Sequence, residues 1–192
     1  GGDFASAGNR ELINVNSIAR WDPVLGKWEA LGSGLAKAYG PGEVRALAVD
    51  SNGDLYVGGQ FAKAGDKSVS SIARWDGRGW NDLGGGLGFD SSYSYVNSLA
   101  LLDGALYAGG SMVSIGGQKV AGLAVWQGRK WAGVGGGVLD SYEGVLSLAV
   151  SDDGGVYAAG AFTGAGELFS RNLVKWTGAG WETLGQGVGY GS

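Results

Sequence analysis

The chain has 192 residues and a formal net charge of −4, with 14 basic and 18 acidic side chains scattered along it. That balance excludes a general binder of nucleic acid or of an anionic membrane, since both demand clustered lysine and arginine. It has no histidine and no cysteine. Within these residues that excludes Ser-His-Asp and Cys-His nucleophiles, a disulfide scaffold, and zinc or copper sites built on imidazole and thiolate, including a copper oxidase of the galactose-oxidase kind.

Glycine is abundant, at 41 residues against 2 prolines, yet 44% of the chain is hydrophobic and it carries 8 tryptophans, so it has the material for a packed core. No run reaches the roughly 20 apolar residues of a membrane-spanning helix. In chain order, Gly1-Gly2-Asp3-Phe4 comes first and returns later as Gly58-Gly59-Gln60-Phe61. Residues 16–34 follow as NSIARWDPVLGKWEALGSG, two apolar runs interrupted at Asp22-Pro23. Such a pattern predicts a hairpin. A second kind of hairpin starts at Val44 and reads VRALAVDSNGDLYVGGQF, aliphatic on both sides of an Asn-Gly turn.

Both hairpins then recur. The tryptophan hairpin returns as SSIARWDGRGWNDLGGG from Ser70, AGLAVWQGRKWAGVGGG from Ala121 and RNLVKWTGAGWETLGQG from Arg171. The aliphatic one returns as VNSLALLDGALYAGGSM from Val96 and VLSLAVSDDGGVYAAGAF from Val145. Every tryptophan falls in the first kind, in the pairs Trp21 and Trp28, Trp75 and Trp80, Trp126 and Trp131, and Trp176 and Trp181. Successive first tryptophans are 54, 51 and 50 residues apart. Four strands, A and B in the aliphatic hairpin and C and D in the tryptophan hairpin, at a period near fifty predict an all-β, β-propeller-like array of four-stranded antiparallel blades. The expected single domain divides into a partial blade at 1–35 and blades at 36–87, 88–138 and 139–192. The aliphatic first run predicts a strand A buried on both faces. An excerpt from a longer chain, or a blade completed by another copy, accounts for the missing strand A of the partial blade.

The recurring I-A-R-W-D-G…W…L-G-x-G followed by V-x-x-L-A-V…L-Y-V-G-G-x-F resembles the kelch-like propeller repeat of bacterial secreted and surface proteins and of fungal cortical marker proteins. It covers essentially the whole chain. The resemblance implies a propeller fold, an extracellular or cell-surface location, and a role in binding or display rather than catalysis. Val125 stands where the motif has arginine, Gln127 and Thr177 where it has aspartate, and Ala159 where it has the first glycine.

The repeated register of the eight tryptophans, and of Tyr56, Tyr107 and Tyr157 on strand B, marks them as core between blades rather than as sugar-stacking platforms. Tyr39, Tyr93, Tyr95, Tyr142 and Tyr190 lie instead in the D–A connections, with Asp90, Asp140 and Glu143 beside them. In a meander these connections share a rim with the B–C loops, the usual location of binding residues. Rigid, amphipathic tyrosines there suit protein or glycan recognition, or they cover the blade ends. Asp50-Ser51-Asn52-Gly53-Asp54 resembles the start of a calcium loop, but its twelfth position is Phe61 where glutamate is required, so it reads as a hairpin turn, as does Asp152-Asp153. No metal and no cofactor are expected.

The leading expectation is a non-catalytic extracellular module that binds a protein or glycan through the loop rim. The alternatives are a self-assembling structural subunit whose open blade edge another chain completes, and a carbohydrate-active enzyme with a carboxylate pair among the loop acids.

Overall fold

Turn chemistry sets the architecture, because each short Asp, Asn or Gly segment folds one apolar run back onto the next. The computed structural model describes residues 1–8, 13–88, 94–139, 141 and 143–189, and among these there is no helix. The first repeat holds β1 (Ser6–Ala7), β2 (Ile13–Asn14), β3 (Ala19–Asp22) and β4 (Lys27–Ala30). Next come β5 (Leu35–Ala36), β6 (Glu43–Val49), β7 (Leu55–Gln60), β8 (Lys63–Ala64), β9 (Lys67–Ser68), β10 (Ile72–Trp75) and β11 (Trp80–Asn81). The third repeat has β12 (Tyr95–Leu102), β13 (Ala105–Ser111), β14 (Ser114–Ile115), β15 (Gln118–Lys119), β16 (Leu123–Trp126) and β17 (Trp131–Gly133). The fourth has β18 (Val138–Leu139), β19 (Gly144–Val150), β20 (Val156–Ala161), β21 (Gly164–Ala165), β22 (Leu168–Phe169), β23 (Leu173–Trp176) and β24 (Trp181–Thr183).

Three four-stranded antiparallel sheets result, ordered β6-β7-β10-β11, β12-β13-β16-β17 and β19-β20-β23-β24, and β3 pairs with β4 alone. Strand A of the repeat is thus β6, β12 and β19. The sheets recur about every 50 residues and no closed ring of them is present among the described residues. The Gly1-Gly2-Asp3-Phe4 segment makes the same bonds as its later counterpart. Gly2 N–H donates to Ser17 O and Ser17 N–H to Phe4 O, as Gly59 does to Ser71 and Ser71 to Phe61.

The core lies between successive sheets. Leu31 and Leu35 of the first repeat bury against Val57, Phe61 and Trp80 of the second, and Leu83 and Leu87 of the second against Val96, Met112 and Trp131 of the third. Val134 of the third repeat and Val138 of β18 do the same against Val145, Phe162 and Val174. Within each tryptophan hairpin the two rings are cross-strand partners, with centroids 5.3 Å apart at 61° for Trp75 and Trp80. The second ring then reaches back one repeat. Trp80 Nε1–H donates to Leu31 O (2.9 Å), Trp131 Nε1–H to Leu83 O (2.6 Å) and Trp181 Nε1–H to Gly135 O (2.7 Å). Each bond satisfies the indole donor that burial would otherwise strand.

Two expectations need correction. Trp21 and Trp28 are 49% and 41% exposed rather than core, with no earlier repeat among the described residues to receive the rings. Strand A is not buried on both faces in β6, where Leu47 and Val49 are exposed, nor in β19, where Leu146 and Val150 are. The equivalent Leu99 of β12 lies over Gly58 on the preceding β7, but the first repeat has no such strand among its described residues for Leu47 to cover.

The aspartate of the tryptophan motif caps its own turn. Asp76 accepts bonds from the N–H groups of Arg78 (2.9 Å) and Gly79 (2.8 Å) and from Asn81 Nδ2 (2.9 Å). Those bonds, the Gly79 N–H first, favour the carboxylate over the acid and hold its pKa at about 2 against an ordinary 3.8. A folded-state value below the unfolded one adds stability that is complete above 3.8 and is lost as pH falls towards about 2. Asp76→Asn keeps an oxygen for the same backbone donors but removes the titration. It is expected to reduce the acid dependence of stability across that window in urea denaturation at stepped pH; an unchanged acid limb refutes the assignment.

Candidate binding rim

The connections at the D–A and B–C ends read as long loops in the sequence, but the structure stitches them together. The B–C segments are two-residue hairpins, and two of them pair with the D–A segment before them, giving the three-stranded sheets β5-β8-β9 and β18-β21-β22. In the third repeat β14-β15 is joined by a single bridge from Leu87 to Ile115. Backbone bonding of this kind gives the rim a fixed frame on which side chains are held.

On that frame each strand A begins with a β-bulge, the register shifting between Val44 and Ala46, between Val96 and Ser98, and between Val145 and Ser147. A bulge adds an unpaired residue and re-aims its side chain. The extra residues are Arg45, Asn97 and Leu146. Arg45 Nε donates to Glu43 Oε1 (2.9 Å), and its Nη1 donates to Asn97 Oδ1 in the next repeat (2.9 Å). Asn97 Nδ2 in turn donates to Val145 O one repeat further (3.1 Å). Lys37 Nζ lies 3.8 Å from Glu43, and the Arg45 guanidinium carbon sits 4.0 Å above the centre of the Tyr95 ring. One polar chain therefore crosses three repeats. The group sets an aromatic ring beside a cation.

Of the sequence candidates, Tyr95 joins this cluster from the first position of β12, half-buried. Tyr39 stands apart at 95% exposure, on a turn closed by Lys37 N–H donating to Gly40 O (3.1 Å). Glu143 is exposed at the mouth of an open cleft of about 590 Å³, beside Leu146, Ser147, Ala159 and Asn172, and does not contact the Arg45 cluster. Asp90, Tyr93, Asp140, Tyr142 and Tyr190 lie outside the described residues. Of the strand-B tyrosines, Tyr56 is buried with its hydroxyl donating to Asp50 Oδ2 (3.3 Å), while Tyr107 and Tyr157 are half-buried. Burial raises the Tyr56 and Tyr107 hydroxyl pKa values above the ordinary 10.0. Asp50 Oδ1 accepts from the N–H groups of Asn52 (2.9 Å) and Asp54 (3.0 Å), which is turn chemistry, and no group of three acidic side chains comes together among the described residues.

Arg45, Asn97 and Glu43 are absent from the sequence candidates. Their signal is the second place of V-x-x-L-A, where arginine, asparagine and leucine alternate in an otherwise fixed frame. No protein-family model matches the chain, and no curated protein matches it either.

Proposed function

We propose that the chain is a segment of a propeller-like, kelch-type array of blades that serves as a non-catalytic recognition module, engaging a protein or glycan through the rim around Arg45 and Tyr95. The observation that carries this reading is the change of chemistry at the bulge of strand A. Val44, Val96 and Val145 and Leu47, Leu99 and Leu148 repeat, whereas the bulge residues between them change chemistry from Arg45 to Asn97 to Leu146. A scaffold needs its packing positions kept; a position projecting from a bulge is free to take up contact with a partner. The resemblance to secreted and surface repeats supports a location outside the cell or on its surface.

Surface-immobilised chain is screened against a glycan panel and a panel of secreted proteins. Tyr39→Ala and Tyr95→Ala are expected to lower retention of the captured ligand by about tenfold or more, as for aromatic anchors at interfaces, with Tm nearly unchanged for the exposed Tyr39. Retention unaffected by both variants, or turnover of a glycan instead of capture, overturns the reading.

A further inference from the structure

Each tryptophan hairpin ends in a glycine turn, and the repeats differ in what holds that turn. In the second repeat it reads Asp82-Leu83-Gly84-Gly85-Gly86, and in the third Gly133-Val134-Gly135-Gly136-Gly137. The last three glycines of both have positive φ, so the two turns follow one path. In the second repeat Asp82 Oδ2 accepts the Gly85 N–H at 2.8 Å. Successive N–H groups in a turn of this kind make a concave donor site for an anion, and a carboxylate there forms a charge-assisted bond. At the place of Asp82 the third repeat has Gly133, which brings no carboxylate to the matching Gly136 N–H.

The space that the missing side chain leaves is open. A cleft of about 260 Å³ lies between the turn and β15, the outer strand of the B–C hairpin, lined by Lys119, Val120, Ala121, Gly133, Gly136 and Gly137. It sits in an interior joint with the fourth repeat already beside it, Gly166 Cα standing 3.6 Å from where a Gly136 side chain would begin. Lys119 is exposed and is the one charge among these lining residues. By the register of the two hairpins, Ser68 opposite Lys63 and Lys119 opposite Ser114, the second repeat has a serine where the third has this lysine. Ser68 and Asp82 therefore give way to Lys119 and Gly133, and the local charge changes from negative to positive. The carboxylate that the second repeat carries within itself has to reach the third from another molecule.

We infer that this cleft is a carboxylate site, taking an aspartate or glutamate side chain of a protein partner onto the Gly136 N–H with the Lys119 ammonium against it. An aspartate fills the equivalent place in the second repeat. The volume lies below the roughly 300 Å³ at which small-molecule pockets begin, which admits one side chain rather than an oligosaccharide. Val120 and Ala121 give the methylenes of such a side chain an apolar wall. The site shares no residue with the Arg45 and Tyr95 group, so it stands or falls independently of what that group binds.

Amide NMR of the isotope-labelled chain reads the site directly. Titration with the peptide acetyl-Gly-Asp-Gly-amide is expected to shift the Gly136 amide resonance to saturation, and the same peptide with asparagine for aspartate to leave it in place. Gly133→Asp should bring the carboxylate from within, since a Cβ there would stand 3.6 Å from Lys119 O and 3.7 Å from Val120 Cγ1, in ordinary contact. This variant is expected to keep its Tm at or above that of the unaltered chain while its Gly136 amide no longer responds to the peptide. Lys119→Ser should raise the half-saturating concentration by up to about fivefold, the span of an exposed ion pair. Asp82→Ala keeps the test readable if the Gly133 variant fails to fold: it strips the carboxylate from the second repeat, and the Gly85 amide should begin to respond to the peptide. Tighter binding of glucuronate than of the peptide overturns the assignment to a protein partner. A Gly136 amide that ignores the peptide, responds equally to the asparagine version, or still responds in folded Gly133→Asp overturns the site itself.

Discussion

Trp131→Ala is expected to cost about 3–5 kcal/mol of stability, the range for deleting a buried large aromatic, whereas Trp28→Ala should cost less than about 1 kcal/mol when measured at dilution. The two residues hold the same place in the repeat. Trp131 is 2% exposed, packs among Leu83, Leu87 and Met112, and donates to Leu83 O, so its removal opens a cavity and strands that carbonyl. Trp28 is 41% exposed, with its ring against the cross-strand partner Trp21 at 5.5 Å between centroids. Urea denaturation followed by far-ultraviolet circular dichroism checks both. Equal losses would mean that the indole serves its own hairpin and not the joint between sheets.

The second large effect is steric. Gly109→Ala should destabilise by about 1–3 kcal/mol, the usual cost of overpacking a close contact. The new methyl would lie 2.6 Å from Val145 Cγ1 and 3.0 Å from its Cβ, both on a strand fixed by pairing to β20. The reverse change at the corresponding position, Ala159→Gly, should alter stability by less than about 1 kcal/mol, the backbone-entropy cost of glycine in a strand. Thermal denaturation of the pair separates close approach from strand propensity: if both changes cost the same, the glycine is there for its backbone and not for the neighbouring valine.

These contrasts show what the sequence carried and what it did not. The four tryptophan hairpins and the Asp or Asn-Gly turns were legible, because each rests on local chemistry that recurs in register. The unequal burial of Trp28 and Trp131 was not, since it depends on whether a neighbouring sheet exists rather than on the residues around the ring. The two-residue hairpins such as β8-β9 are too short to show alternation, although Gly65, Gly116 and Gly166 mark their turns at matching offsets, all with positive φ. The rim cluster escaped for a different reason. Arg45 and Asn97 sit in a run read as a regular aliphatic strand, and only the bulge turns them outward to meet Glu43 and each other. Tyr95 was found because it stands at the edge of that run, where residue type alone is informative.

The indole bonds that reach back one repeat also govern the order in which the molecule assembles. Each joins residues 46 to 49 positions apart, and none of them spans two repeats. Stability is then a sum over neighbouring pairs, as in solenoids. A nucleus formed by the second and third repeats completes the joint between them and can propagate outward in either direction. The addition or loss of a whole repeat leaves every remaining joint intact.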